Sequence, residues 1–212
     1  DTNLPSAPQV LVELQELIGS ENSSADDLAH VISKDVGLSA LLLRMVNSAY
    51  YSFPSQIETI SRAVALVGTA SLSTLAVGTS VITEFKDIPG EVLDLGSFWR
   101  HSVACGLLGG AIAKLKKFPD SERFFVAGLL HDIGRLLIFK SVPEVGAFVL
   151  ASTAAKQLPM LEMEEEVLGF THAKLGSMLL RKWNFPFSIV MAVLNHHSPE
   201  KAKDDPMAAV TN

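Results

Sequence analysis

The residues best suited to chemistry in this sequence are its histidines, five of which lie after position 100. Two of these five follow one another directly, and a third is followed by an aspartate. The set consists of His101, His131, Asp132, His172, His196 and His197. Imidazole and carboxylate groups together bind divalent metals such as Fe, Mn, Zn, Co or Ni. A lone histidine on an apolar helix is more often a structural residue. The combination of these pairs with two further histidines favours a mononuclear or dinuclear metal site.

The elements that must position these residues are helices. Apolar side chains recur at helical spacing through the chain, and strand patterns are nearly absent. His131 and Asp132 fall within one predicted helix, 122–139. Adjacent residues on a helix point about 100° apart, so both reach one ion only where other helices converge, as in a bundle core. There Asp132 could bridge two ions and orient a nucleophilic water.

The remaining predicted helices follow from periodicity, caps and breakers. They cover about 10–18, a helix capped by Ser24, about 37–47, 59–67, 69–85 and about 93–115, with three or four more after Pro143. Charge, proline and glycine at 86–90 make this segment the best candidate boundary. Residues 63–83 carry no charge but include Gly68, which favours two buried helices over a membrane span. The sixth histidine, His30, is predicted on the polar face of an N-terminal helix.

Composition excludes several classes of protein. Hydrophobic residues make up 48% and charged residues 19%, which is typical of a folded domain. The net charge is -6 and no basic stripe appears, so we expect no nucleic-acid partner. The single cysteine and the polar opening of the chain, without a signal peptide, favour a cytoplasmic protein with no membrane partner.

Two further features have competing interpretations. Cys105 lies one helical turn beyond His101 on the same face. We interpret it as a small thiol packed in a glycine-rich helix, and a soft metal ligand is the alternative. The acidic run Glu162, Glu164, Glu165 and Glu166 is interpreted as a solvent-exposed helix face.

Several motifs together resemble a known family. They are Leu4–Pro8, Ile32–Asp35, Leu41–Tyr51, Ile60–Gly68, Phe98–Ser102, Ala127–Gly134, Leu168–Gly169 with His172–Gly176, Trp183–Pro186 and His196–His197. This pattern resembles the HDOD domains over nearly the whole chain. The resemblance implies an all-α fold of two packed helical bundles, 1–90 and 91–212. The second bundle would be similar to the HD superfamily of metal-dependent phosphohydrolases.

The resemblance also implies a ligand set. In the related HD-GYP phosphodiesterases the metal centre uses a histidine, the His-Asp pair, a later histidine and a His-His pair. These positions correspond to His101, His131, Asp132, His172, His196 and His197. A basic residue three after the aspartate contacts phosphate there, and Arg135 has that place.

The sequence also departs from that pattern. Ser97 stands where a carboxylate ligand is expected, and no Gly-Tyr-Pro element follows the His-His pair. A late aspartate is not evident, since Asp204 and Asp205 come too soon after His197.

These features lead to a functional expectation with alternatives. We expect a non-catalytic regulatory or output domain of bacterial signal transduction, acting through protein contacts that could involve the loop at 50–53. Its partners would be signalling proteins or fused receiver, kinase or cyclic-di-GMP domains. The alternative is a metal-dependent phosphohydrolase acting on a nucleotide or cyclic dinucleotide, in which Asp132 and the histidines hold the ions and Arg135 steadies the phosphate. A metal-bound sensor without turnover lies between the two.

Overall fold

The computed structural model describes residues 4–20, 22–198 and 200. These residues form helices and no strand, which confirms the all-α prediction. The helices are α1 (Gln9–Gly19), α2 (Ala25–Ser33), α3 (Val36–Val46), α4 (Ile60–Val67), α5 (Thr69–Ser80), a 3-10 helix (Val81–Phe85), α6 (Leu95–Leu115), α7 (Ser121–Leu130), α8 (Ile133–Ser141), α9 (Pro143–Lys156), α10 (Met160–Leu168), α11 (His172–Lys182) and α12 (Phe187–Asn195).

Side-chain caps define the start of several helices. The predicted cap of α2 is confirmed, since Ser24 and Asp27 form a reciprocal capping box. Thr171 caps α11 by accepting a hydrogen bond from the backbone N–H of Lys174, so the helix begins at His172. Gly68 ends α4 with a φ of 92° and also precedes the first residue of α5. This confirms two helices in the uncharged segment.

One hydrophobic core runs through the chain and includes residues on both sides of the non-helical segment at 86–90. α5 packs on α7, while α7 also contacts α6 and α12. The first described residues, from Leu4 on, contact the C-terminal half as well. Trp183, which is 1% exposed, donates its indole N–H to the carbonyl of Pro5. The division into bundles at 1–90 and 91–212 stays a prediction.

The helix predicted over 122–139 is wrong in one respect that matters for the site. The chain forms α7 up to Leu130, turns at His131 and Asp132, and resumes as α8 at Ile133. Asp132 leaves the helical region with φ -96° and ψ 9°. Hydrophobic periodicity continues through the turn, so the sequence shows no break. Both side chains reach one site, since Oδ2 of Asp132 lies 3.6 Å from Nε2 of His131.

Two helices approach each other closely beside this turn. A Cβ on Gly134 in α8 would overlap with the backbone oxygen of His172 and lie 2.7 Å from the amide nitrogen of Gly176 in α11. Glycine is therefore required for the backbones of α8 and α11 to touch. The contact fixes the start of α11 directly beside Asp132.

No helix in the described part of the chain has the length and apolar character needed to cross a bilayer.

Candidate metal centre

Four side chains converge at the turn between α7 and α8 and at the facing helix ends. The Nε2 atom of His172 lies 3.1 Å from Oδ1 of Asp132, 3.3 Å from Nε2 of His196 and 3.1 Å from Nε2 of His197. His172 and His196 are buried, while His197 is exposed. Asp132, His172, His196 and His197 form the group called here subsite 1. It opens to solvent on the side of His197.

Hydrogen bonds to backbone carbonyls orient two of the histidines. Nδ1 of His131 lies 2.7 Å from the carbonyl oxygen of Gly128, three residues earlier. Nδ1 of His196 lies at the same distance from the carbonyl oxygen of Val193. Each histidine follows the end of a helix, where the last carbonyls have no partner within the helix. A carbonyl only accepts, so Nδ1 carries the proton and Nε2 has a free lone pair directed into the cluster.

His172 is oriented instead by Glu164, a residue that our sequence analysis missed. One carboxylate oxygen of Glu164 accepts hydrogen bonds from the backbone N–H of His172 at 2.8 Å and from its Nδ1 at 2.6 Å. The prediction of a solvent-exposed acidic face is wrong here, because Glu164 is 2% exposed. A carboxylate behind a metal-binding histidine fixes its tautomer and raises its basicity.

A second group of donors lies on the other side of Asp132. Nε2 of His131 is 3.3 Å from Nε2 of His101, and Sγ of Cys105 is 3.6 Å from the same His101 atom. These three donor atoms all lie within 4.8 Å of one another and form subsite 2. Oδ2 of Asp132 is 3.6 Å from Nε2 of His131, whereas Oδ1 faces subsite 1. The carboxylate of Asp132 therefore stands between the two subsites.

The electrostatics of subsite 1 hold a negative charge on Asp132. Burial by itself would raise the pKa of Asp132, but the hydrogen bond from His172 and the charge of Arg135 outweigh it. The pKa of this carboxyl therefore lies well below its usual range. Burial likewise disfavours a charged His172, yet its bonds to Asp132 and Glu164 raise its pKa to about 9. In the metal-free protein a proton on His172 balances the buried carboxylates.

Two other donors have shifted pKa values. Burial, together with the charge of His172, lowers the pKa of His197 to about 4. His197 is therefore neutral at pH 7, with a lone pair free to bind a metal. Burial and the charge of Asp132 raise the pKa of the Cys105 thiol.

The predicted phosphate-binding residue also lies at the centre, but it is already paired. Arg135 donates a hydrogen bond of 2.9 Å to Oδ2 of Asp132. Its Nε is buried and has no hydrogen-bond partner within the described residues. In this arrangement Arg135 stabilises the carboxylate of Asp132 from the side of subsite 2.

The spacing of the donor atoms fits the dimensions of a metal site. Two nitrogens bound to one tetrahedral ion at about 2.1 Å lie about 3.4 Å apart. The Nε2–Nε2 distances of 3.1 to 3.3 Å across both subsites agree with this value. Two neutral imidazole lone pairs facing one another this closely repel unless a cation or a proton lies between them. The donor set therefore fits a divalent metal of the borderline class.

The structure brings together all six residues predicted as ligands and also places Arg135 beside them. Ser97 is in α6, one turn before His101, and its hydroxyl bonds Asp94 rather than the centre. Asp204 and Asp205 lie outside the described residues. Glu164 had a signal in the sequence: it is a single carboxylate on the apolar stripe formed by Met160, Met163, Val167 and Leu168.

Known proteins share this fold and sequence pattern. The model of the HDOD domain family matches residues 4–199. A crystal structure of a protein from Shewanella amazonensis SB2B, named as a phosphohydrolase, aligns with a TM-score of 0.82 and 30% identity, covering 98% of this chain and 74% of that one. An HDOD domain protein of unknown function from Geobacter sulfurreducens aligns with a TM-score of 0.83 and 25% identity, covering 99% and 70%.

A curated relative extends beyond the matched region. An uncharacterized protein from Treponema pallidum (strain Nichols) is 26% identical over 209 residues. The match covers 96% of this chain and 39% of that protein, so the chain spans well under half of its length.

Proposed function

Because the chain belongs to the HDOD domain family, we propose that it is a regulatory module of bacterial signal transduction built around a divalent metal centre. The observation that carries this proposal is the convergence of three Nε2 atoms, each at a different helix end, on the carboxylate of Asp132. Those of His131, His172 and His196 lie 3.1 to 3.7 Å from its oxygens. Each of His131, His172 and His196 is held by a hydrogen bond on its Nδ1. Such fixed tautomers are what a metal centre requires.

Two subsites would divide the ligands. Asp132, His172, His196 and His197 would hold one ion, and His101 and His131 would contribute to a second. A bound divalent ion would supply positive charge that polarises a phosphate or a water molecule. Fe, Mn, Zn and Ni all suit this nitrogen-rich donor set.

A role without turnover is favoured by the state of the potential catalytic groups. The guanidinium of Arg135 is engaged by a hydrogen bond to Asp132. Asp132 is the one carboxylate among the donors of the two subsites in the described residues. A hydrolase must stabilise the charge that develops on a phosphoryl group, and a paired arginine contributes less to that task. The centre would instead set the conformation of the module.

We propose that the partner-binding surface includes the loop that joins α3 to α4. The rings of Tyr51 and Phe53 stack with their centroids 5.9 Å apart, and the ammonium of Lys114 lies 3.5 Å from the centroid of Tyr50. Aromatic side chains of this kind dominate protein interfaces. The partners would be signalling proteins, or receiver, kinase or cyclic-di-GMP domains fused to the same chain.

Elemental analysis of protein purified without a chelator or a histidine tag tests the metal centre. We expect near-stoichiometric metal in the wild type and a clear loss in His131→Ala. The matched control is His30→Ala, which removes an exposed histidine of α2 far from the centre in sequence. Equal metal content in all three proteins, or none in any of them while circular dichroism shows normal helix, would refute the proposal.

A metal-dependent phosphohydrolase is the second candidate. It is favoured by the position of Asp132, whose two oxygens face different subsites. The 30% identical structure from Shewanella amazonensis SB2B is also named as a phosphohydrolase. In this alternative Arg135 would exchange Asp132 for a substrate phosphate. Hydrolysis of cyclic-di-GMP or a generic phosphodiester by the wild type, well above the rate of Asp132→Ala, would establish the enzyme and exclude the role without turnover.

A further inference from the structure

Subsite 2 differs from subsite 1 because it contains sulfur. His101 and Cys105 are four residues apart in α6, so their side chains leave the helix on the same face. Sγ of Cys105 lies 3.6 Å from Nε2 of His101. Cys105 is the sole cysteine of the chain and is partly exposed.

The close packing of α6 on α7 gives Cys105 its position. A Cβ on Gly128 would lie 2.7 Å from the backbone oxygen of Cys105, so the two backbones are in direct contact. Gly128 is also the residue whose carbonyl orients His131. The same contact therefore brings the thiol and the third donor, Nε2 of His131, to one place.

The distances match those around a tetrahedral ion with mixed ligands. A sulfur at about 2.3 Å and a nitrogen at about 2.1 Å from one tetrahedral ion lie about 3.6 Å apart. The observed Cys105–His101 distance is 3.6 Å, and the His101–His131 distance of 3.3 Å fits two nitrogen ligands. Three protein donors with one open position is also the pattern of non-structural zinc sites.

We infer that Cys105 is a metal ligand, and that subsite 2 is a mixed nitrogen–sulfur site selective for thiophilic ions such as Zn²⁺ or Co²⁺. This inference rests on the proposed metal centre and adds that the two subsites differ in their metal preference. Cys105 binds as the thiolate, and its proton passes to the buffer. Subsite 1, with nitrogen and oxygen donors alone, also accepts ions that bind sulfur weakly, such as Mn²⁺.

Cobalt spectroscopy of the metal-free chain tests this assignment. Co²⁺ would be titrated into the wild type and into Cys105→Ser, and the ultraviolet sulfur-to-cobalt charge-transfer band would be recorded. We expect the band in the wild type and its loss in Cys105→Ser, which should still bind Co²⁺ at subsite 1. Since the chain has one cysteine, any such band arises from Cys105.

The outcomes separate the two proposals. Co²⁺ binding without a charge-transfer band in the wild type would overturn the assignment of Cys105 and leave the metal centre intact. No Co²⁺ binding by either protein would overturn both. A second measurement needs no Cys105 variant: Zn²⁺ should protect the thiol from a disulfide reagent in the wild type and fail to do so in His131→Ala. Equal thiol reaction rates with and without Zn²⁺ in the wild type would also overturn the assignment.

Discussion

Replacement of Glu164 by alanine should weaken metal binding, although Glu164 is not among the donors of either subsite. In the structure one oxygen of Glu164 holds both the backbone N–H and the Nδ1 of His172. Without it, the imidazole can rotate and its Nε2 is a weaker base. Loss of a partner of this kind typically lowers metal affinity by about 10-fold to 100-fold. This corresponds to about 1.4 to 2.8 kcal/mol of binding free energy.

The isosteric variant gives a graded comparison. Glu164→Gln keeps one carbonyl oxygen that can accept both hydrogen bonds, but it lacks the negative charge. Its metal affinity should therefore lie between that of the wild type and that of Glu164→Ala. Glu165→Ala is the matched control, because it removes an exposed carboxylate from the next position of α10. Zinc affinity would be measured by competition with a chromophoric chelator.

The comparison of Glu164→Ala with Glu165→Ala decides whether the buried carboxylate supports metal binding. A folded Glu164→Ala protein with a zinc affinity within twofold of that of Glu165→Ala would show that His172 does not depend on its buried carboxylate. The role of Glu164 would then be limited to its hydrogen bond with the backbone N–H at the start of α11.

The other predictions concern helix contact, capping and metal removal. Gly134→Ala should lower the free energy of unfolding by about 1–3 kcal/mol or more, because the new Cβ would overlap with the backbone of His172. The control Gly19→Ala should not lower it, because a Cβ there meets open space. Equal urea midpoints would contradict this. Thr171→Ala should cost about 1 kcal/mol and Thr171→Ser much less, because serine retains the cap of α11; equal losses in urea denaturation would be inconsistent with capping. Zinc at about 100 times its dissociation constant should add about 2.7 kcal/mol to the stability of the wild type. A chelator should remove that increment, and an unchanged melting temperature on chelation would count against the metal centre.

Much of the helical architecture could be predicted from local signals. Caps such as Ser24 and the stop at Gly68 act within a few residues, so the sequence alone contains the relevant interactions. The ligand set could be predicted from the sequence because histidine and aspartate are chemically distinctive residue types. These types grouped residues as distant as His101 and His197, and the family pattern indicated the same set.

The parts that could not be predicted depend on tertiary contacts. No breaker residue marks the turn at His131 and Asp132, and apolar positions on both sides of it are buried. Glu164 belongs to an acidic run whose other glutamates are exposed, and its burial beside His172 depends on contacts distant in sequence. Charged side chains are usually exposed, and they are buried only where a partner group satisfies the charge.

The donors of the two subsites come from α6, the turn after α7, the start of α11 and the turn after α12. They are separated by long stretches of chain, from position 101 to position 197. An unfolded polypeptide therefore holds no preassembled set of ligands, and high-affinity loading must follow the association of these four segments. Closure of such long loops makes these contacts slow to form. The appearance of tightly bound metal would thus serve as a late kinetic marker, reporting when the native topology of this part of the chain is complete.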